Sequence, residues 1–378
     1  MGIDTDLDGG SILVLDASDP SRIELALRPD NAASFMQWFH FRVRHGRHAR
    51  RAPTALRIVN AGEASYPSGW EGYRACASYD GERWFRVPTD YDGAVLTILH
   101  AAKRREVRYA CFAPYPSERD ELLLEAAAAA PRARVEVVGE SLDGRPMNVI
   151  ALGEDGPSKL RVWIIARQHP GEAMAGWFME GALLRLLDDE DPVAAELLDR
   201  AVVRCVPSMN PDGCARGNHR TNAAGCDLNR SWLAPSAEDS PEVLAVRAAL
   251  LDGGVDLFLD IHGDEGIPYV FAAGCEGNPG YSPRLERLEE LFQESLAHRH
   301  VGFQRRYGYE FDEPGEGDLS MAANYVGERF GCLSMTLEMP FKDDDDHPDE
   351  DAGWSPERSR GFGEATLESV VDLLDEIG

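Results

Sequence analysis

The sequence predicts an α/β fold preceded by an all-β sandwich, and three observations predict it. Seven short apolar runs lie between residues 11 and 115, separated by turn residues and with no convincing helix of three turns among them. Beyond residue 155, strand-like and helix-like segments alternate, the pattern of an α/β domain with a largely parallel or mixed sheet. Strands in that second part are nearly continuous apolar runs, as expected of strands covered on both faces.

Taken in order, the early runs are SILVLD, RIELAL, WFHFRV, ALRIVN, RWFRVP, AVLTIL and VRYACFA. Strands at this spacing suggest a β-sandwich of roughly a hundred residues. Trp38, Phe39, Phe41, Trp84 and Phe85 are read as core and interface packing. The rhythm changes near Pro114 and Pro116, which gives two expected domains, 1–115 and 116–378. Glu118 to Ala130 is a predicted helix stopped by Pro131. Two strands follow, ARVEVVGE and PMNVIALG, joined through Asp143-Gly144, a favoured hairpin turn.

The strand LRVWIIA leads to a helix from Glu172 to about Leu187, with Met174, Trp177, Phe178, Gly181 and Leu184 along one face. Then come the strand AVVRCVPSM, a helix opened by Ser240-Pro241, the buried strand VDLFLDIH, a helix opened by Ser282-Pro283 and the strand CLSMTLEM. The segment begun by Ser355-Pro356 is predicted helical at least from Glu364 to Ile377. Ligands of such sheets bind outside the carboxyl ends of the strands.

Composition narrows the function. Apolar residues make up 43% of the 378 and charged residues 28%, enough to bury a core without a bias to disorder. The 66 acidic against 38 basic residues give a net charge of −28, which repels nucleic acid and anionic membranes, so neither is an expected partner. Seven scattered cysteines without CxxC spacing point to a reducing compartment. The first residues lack a basic segment followed by an apolar core, and no run approaches the ~20 apolar residues of a membrane helix. The expected location is cytoplasmic.

The chemistry is organised around Arg167-Gln168-His169-Pro170-Gly171-Glu172. A histidine and a carboxylate three residues apart in a tight turn can point at one ion, with Pro170 fixing its own φ and Gly171 supplying a conformation other residues avoid. His262, ending the strand VDLFLDIH, brings the set to two histidines and one carboxylate, a catalytic zinc set with one position left for water. Redox iron sites use the same mix, and an ordinary surface turn plus an unrelated core histidine is the plain alternative. Between these residues lies a polar stretch containing Asn210-Pro211-Asp212-Gly213, Arg220 and Asp227-Leu228-Asn229-Arg230. Arginine offers a planar fork of donors for a substrate carboxylate, although composition alone favours a solvated loop. Gly263-Asp264-Glu265 is read as the opening of a loop. Lys342 to Asp351, with seven carboxylates in ten residues, is read as solvated, because the positional pattern of a calcium loop is missing.

His169-Pro170-Gly171-Glu172, Asn210-Pro211-Asp212-Gly213, Asp227-Leu228-Asn229-Arg230, the strand-end His262 and Thr336-Leu337-Glu338 occur in the order seen in zinc metallocarboxypeptidases. The sequence most resembles the cytosolic carboxypeptidase branch, bacterial type, which carries a β-sandwich ahead of the catalytic domain. The resemblance implies an α/β/α sandwich around a mixed, twisted sheet. It implies one zinc ion held by His169, Glu172 and His262, with Asp227 orienting the first histidine. Arg220 matches the arginine that polarises the scissile carbonyl, Asn229 and Arg230 the pair gripping the substrate's terminal carboxylate, and Glu338 the general acid/base.

The implied activity is hydrolysis of the C-terminal peptide bond of peptides or protein tails, with a zinc-bound water as nucleophile and Glu338 moving the proton. No cysteine is assigned as a nucleophile. A zinc amidohydrolase or deacylase acting on a small N-acyl amino acid is the alternative. Tyr307 and Tyr309 are candidates for a substrate-capping tyrosine. Removal of C-terminal glutamate would follow from the branch, but the expected basic residue falls on alanine or asparagine in Asp318 to Val326, with Arg305 and Arg306 as substitutes.

Overall fold

The computed structural model describes residues 1–46 and 53–377. Up to Ala110 the regular structure is strands and single 3-10 turns. Strands Gly2–Asp4, His40–Arg44, Glu106–Ala110, Cys76–Ser78 and Trp84–Arg86 form one antiparallel sheet in that order. The second sheet runs Leu13–Asp16, Ile23–Ala26, Thr54–Ile58, Leu96–His100 and Thr89–Tyr91, with only Ile23–Ala26 and Thr54–Ile58 parallel. Because side chains alternate along a strand, each sheet turns one row inward. Ile23, Leu25, Leu56, Ile58, Leu96 and Ile98 meet Phe41, Val43, Val107 and Tyr109 in one buried core. Trp38 and Phe39 are buried too, whereas Trp84 and Phe85 are half-buried at its edge. All seven predicted runs contain a strand; the three extra strands are each three residues long, too short to show alternation.

The remainder is built on a seven-stranded sheet ordered Ala133–Glu140, Pro146–Leu152, Ala201–Val206, Leu160–Ala166, Leu257–Asp264, Leu333–Pro340 and Phe271–Ala273. The central four strands, from Ala201–Val206 to Leu333–Pro340, are parallel to one another, and the flanking strands pair antiparallel. Helices cover both faces. Val162, Ile164 and Ala166 belong to the core shared with helices Ala173–Leu187, Pro283–Arg299 and Pro356–Asp372. Trp163, Ile165 and Phe258 pack on the other face with Val243, Val246 and Leu250 of Pro241–Gly253 and Ala322 and Val326 of Ala322–Phe330. The sheet is therefore the middle layer of an α/β/α sandwich, as the resemblance implied.

Helix Ala173–Leu187 differs from its expected single apolar face. It is buried all round from Ala173 to Leu183, while Leu184, placed on that face, is half exposed. The outer side is covered by Pro356–Asp372. Gly181 faces the Arg360 backbone and Gly363 the Phe178 carbonyl, and a Cβ at either would come within 2.4 Å of backbone oxygen.

The acidic segment is also not a free solvated loop. Buried Arg86 donates to the carbonyls of Phe341 (2.8 Å), Lys342 (3.1 Å), Ala352 (3.1 Å) and Trp354 (3.2 Å), and to the carbonyl of Arg74 in the strand-rich part (2.7 Å). Asp343 and Asp344 pair with Arg358, at 3.4 and 3.0 Å. The segment therefore ties the strand-rich part to the sandwich. Arg86→Ala leaves these carbonyls short of donors and is expected to cost about 3 kcal/mol of stability. Chemical denaturation checks it, and an unchanged midpoint would contradict it.

Candidate metal centre

Three parallel strands deliver the site from their carboxyl ends. Leu160–Ala166 runs into the turn holding His169 and Glu172, Leu257–Asp264 carries His262, and Leu333–Pro340 carries Glu338. Register pairs His262 directly with Glu338, so the two side chains leave the same face of the sheet about 5 Å apart.

The turn is shaped differently from its sequence expectation. Arg167, not Gly171, takes the left-handed conformation, at φ 62°. Its guanidinium holds it there, donating to the carbonyls of Tyr115 (3.3 Å) and Pro170 (2.9 Å). Gly171 is required by close approach instead: a Cβ would lie 2.5 Å from His219 Nδ1 and 2.9 Å from the His219 carbonyl. Its N–H donates to that same carbonyl, at 2.8 Å.

His169, Glu172 and His262 are buried, and their ligating atoms lie within 4.8 Å of one another. His169 Nδ1 is 2.6 Å from Glu172 Oε1, and His262 Nδ1 is 2.8 Å from Glu172 Oε2. Two acceptors approach this closely only with positive charge between them, a proton or a metal ion. The outer nitrogens show which way the rings face. His169 Nε2 lies 3.1 Å from Asp227 Oδ1 and His262 Nε2 lies 2.9 Å from Asp260 Oδ2. A carboxylate on Nε2 fixes the proton there and leaves the Nδ1 lone pair directed inward. The donor set therefore fits a divalent cation.

The electrostatics agree. Burial opposes charge on Glu172, but His169 and His262 outweigh it and hold its carboxyl well below the usual range. Burial likewise opposes charge on His262, and Asp260 and Glu172 outweigh it in the opposite direction. Asp227 is held low against burial by His169 and then Arg220. Asp260 was not anticipated, yet it lies two residues before His262 on one strand. The strand period of two puts both on one face. Gln168 was missed as well: it donates to Asp260 (2.6 Å) and accepts from the Trp232 indole (2.8 Å).

Glu338 is buried, and its Oε1 accepts from Tyr309 at 2.9 Å while Oε2 has no partner. Burial pushes its pKa well above the usual range, against the pull of His262. The Tyr309 hydroxyl also contacts Asp264 Oδ2 at 3.0 Å, whereas Tyr307 stacks on Tyr269. Asp264 and Glu265 do more than open a loop. Asp264 Oδ1 accepts from the N–H groups of Gly266 and Ile267, and Glu265 pairs with His219 at 2.8 Å.

Arg220 is held at Nε by Asp227 Oδ2 (2.7 Å). Asn229 accepts the Ala322 N–H through Oδ1 (2.8 Å), and Arg230 is half exposed with Asp318 3.9 Å away. His169, Glu172, Arg220, Asn229, Arg230, His262, Tyr309 and Glu338 all line one cavity of about 750 Å³. Asp227 stands behind it, in contact with His169 and Arg220. The structure thus brings together the candidate metal ligands, Glu338, Arg220, Asn229 and Arg230, whereas Asp212 of the Asn210–Gly213 motif bonds elsewhere, to Ser141 and Arg145.

The chain is similar to known proteins along its whole length. A family model described as the cytosolic carboxypeptidase N-terminal domain matches residues 3–112, and one described as zinc carboxypeptidase matches 121–358. The structure of a metallo-carboxypeptidase from Pseudomonas aeruginosa, in complex with (2-guanidinoethylmercapto)succinic acid, is 51% identical, covers 100% of both chains and superposes with a TM-score of 0.97. An uncharacterized protein of Zymomonas mobilis is 44% identical over 99% of this chain and 97% of its own. Human cytosolic carboxypeptidase 4 is 40% identical over 117 residues, 30% of this chain and 10% of that much longer one.

Asp260→Asn keeps the shape of the carboxylate but not its charge, and is expected to weaken zinc affinity about 10- to 100-fold. Competition against a chromogenic chelator measures this, and unchanged affinity would contradict the part given to Asp260.

Proposed function

Because the chain belongs to the zinc carboxypeptidase family, with the N-terminal domain of the cytosolic carboxypeptidases, we propose that it removes C-terminal residues from peptides or protein tails using one zinc ion held by His169, Glu172 and His262. The observation that carries this reading is Glu338, buried beside that ligand set with one carboxylate oxygen left without a partner.

When bound, zinc supplies Lewis acidity, acidifying water and drawing charge from a carbonyl oxygen. Glu338 Oε2 takes the proton from the attacking water and returns it to the leaving amine. Tyr309 on Oε1 keeps the carboxylate oriented. Arg220, its Nε committed to Asp227, keeps its Nη groups for the carbonyl oxygen as negative charge develops. Arg230 and the Asn229 amide hold the substrate's terminal carboxylate, which restricts cleavage to the last peptide bond. We read the chain as two units, 1–115 and 116–378, and its free cysteines as suiting a reducing, cytoplasmic setting.

Glutamate as the leaving residue is disfavoured by the cavity wall. Arg305 and Arg306, the cations that could receive it, pair with Glu294 (3.4 Å) and Asp346 (2.8 Å). Glu276 and Asp312 line the same cavity, and burial and then Asp312 push the Glu276 carboxyl up. Such a wall is better matched by a cationic side chain. The Pseudomonas aeruginosa relative's ligand, a succinic acid with a guanidinium tail, combines carboxylate and cation in the same way.

Chelation is expected to abolish activity and added zinc to restore it. Glu338→Gln is expected to keep zinc and lose about 10²- to 10⁴-fold in kcat, and full turnover in that variant would overturn the mechanism. Mass spectrometry of a mixed peptide pool is expected to show loss of C-terminal Lys or Arg ahead of Glu; preferential loss of Glu would contradict the reading of the wall.

A further inference from the structure

Arg220 sits on a loop without regular structure, between helix Pro211–Arg216 and Asp227. A catalytic arginine on such a loop needs something to fix its backbone, and the contacts that do so come from the strand-rich part. Asp30 is buried and accepts from three successive backbone N–H groups: His219 (2.5 Å) on Oδ1, and Arg220 (2.8 Å) and Thr221 (2.8 Å) on Oδ2. The Thr221 hydroxyl adds a fourth bond to Oδ2 at 3.0 Å. Consecutive N–H groups converging on one anion define a concave backbone shape, and the anion stabilises that shape.

The neighbours of Asp30 extend the grip. Asn31 donates to the Ala223 carbonyl (2.6 Å) and accepts from Asn218 (2.7 Å), and Arg28 donates to the Arg216 carbonyl. Ala32 adopts a left-handed φ of 58°, and its carbonyl lies so close to Gly225 that a Cβ there would come within 2.4 Å. The guanidinium itself lies over Phe35 (5.5 Å) and Tyr66 (5.9 Å), both from the strand-rich part.

We propose that residues 28–35 are a positioning element for catalysis, with Asp30 setting the backbone of residues 219–221 so that Arg220 reaches the scissile carbonyl. The strand-rich unit thus completes the catalytic site from behind. Asp30 touches no reacting atom; it acts through Arg220. The inference rests on the reading of Arg220 as the carbonyl-polarising group.

The test uses the full-length, zinc-loaded protein. Asp30→Asn puts an amide donor among the N–H groups, and is expected to lower kcat about 10- to 100-fold while changing KM less than about 3-fold and leaving zinc content intact. Because Asp30 acts through Arg220, the same substitution in an Arg220→Ala background is expected to change kcat by less than about 2-fold. Losses that multiply in the double variant, or wild-type kcat in Asp30→Asn, would overturn the proposal. If Arg220→Ala itself leaves kcat unchanged, the underlying reading fails, and amide hydrogen exchange then decides the clamp alone. Faster exchange at residues 219–221 in Asp30→Asn supports it, and unchanged exchange overturns it. Should Asp30→Asn not fold, Asn31→Ala, expected to give the same pattern about 3- to 10-fold in kcat, replaces it under the same criteria.

Discussion

The structure depends on three acceptor-rich side chains being forced together where water cannot separate them. Two imidazole nitrogens lie 2.6 and 2.8 Å from the oxygens of a single buried carboxylate, an arrangement that only interposed positive charge stabilises. Around that centre the protein places further carboxylates, Asp227 and Asp260, each behind one histidine. They determine which nitrogen faces inward, and they add negative charge to a region that a divalent cation would neutralise. The parallel sheet brings these residues together: adjacent strand ends place residues 169, 262 and 338 at one edge despite their separation in the chain.

The strand-rich part contributes in two places. At the acidic segment, Arg86 gathers the carbonyls of Phe341, Lys342 and Trp354 into a seam with the strand-rich part. At the loop of residues 217–227, Asp30 and its neighbours hold the backbone from which Arg220 projects. Its core is continuous with that of the seven-stranded sheet through Phe112, Tyr115, Trp177 and Phe341, so strain at one is felt by the other.

Much of this was legible in the sequence because the relevant physics is local or periodic. Continuous apolar runs revealed the buried parallel strands, and Ser-Pro pairs marked three helix starts at Pro241, Pro283 and Pro356. His169, His262 and Glu338 could be placed near one another because motif order puts them on or just past strand ends. What escaped depended on contacts across the chain. The helix after the metal turn is buried on every side only because another helix covers it. Gly171 is explained by His219, 48 residues on, and not by its own φ. The acidic segment looked solvated because its partner arginine lies more than 250 residues away. Asp30 carried no local signal at all, since three backbone N–H groups leave no mark on side-chain patterns.

The proposed chemistry depends on where a bound metal ion would sit. Anomalous scattering at the zinc edge from crystals of the zinc-loaded protein locates the ion directly. A single peak bounded by His169 Nδ1, the Glu172 carboxylate and His262 Nδ1, with Glu338 outside the coordination sphere, is the predicted result. A peak ligated by Asp227 or Asp260 in place of the histidines, or one elsewhere in the chain, would contradict the assignment on which the mechanism is built.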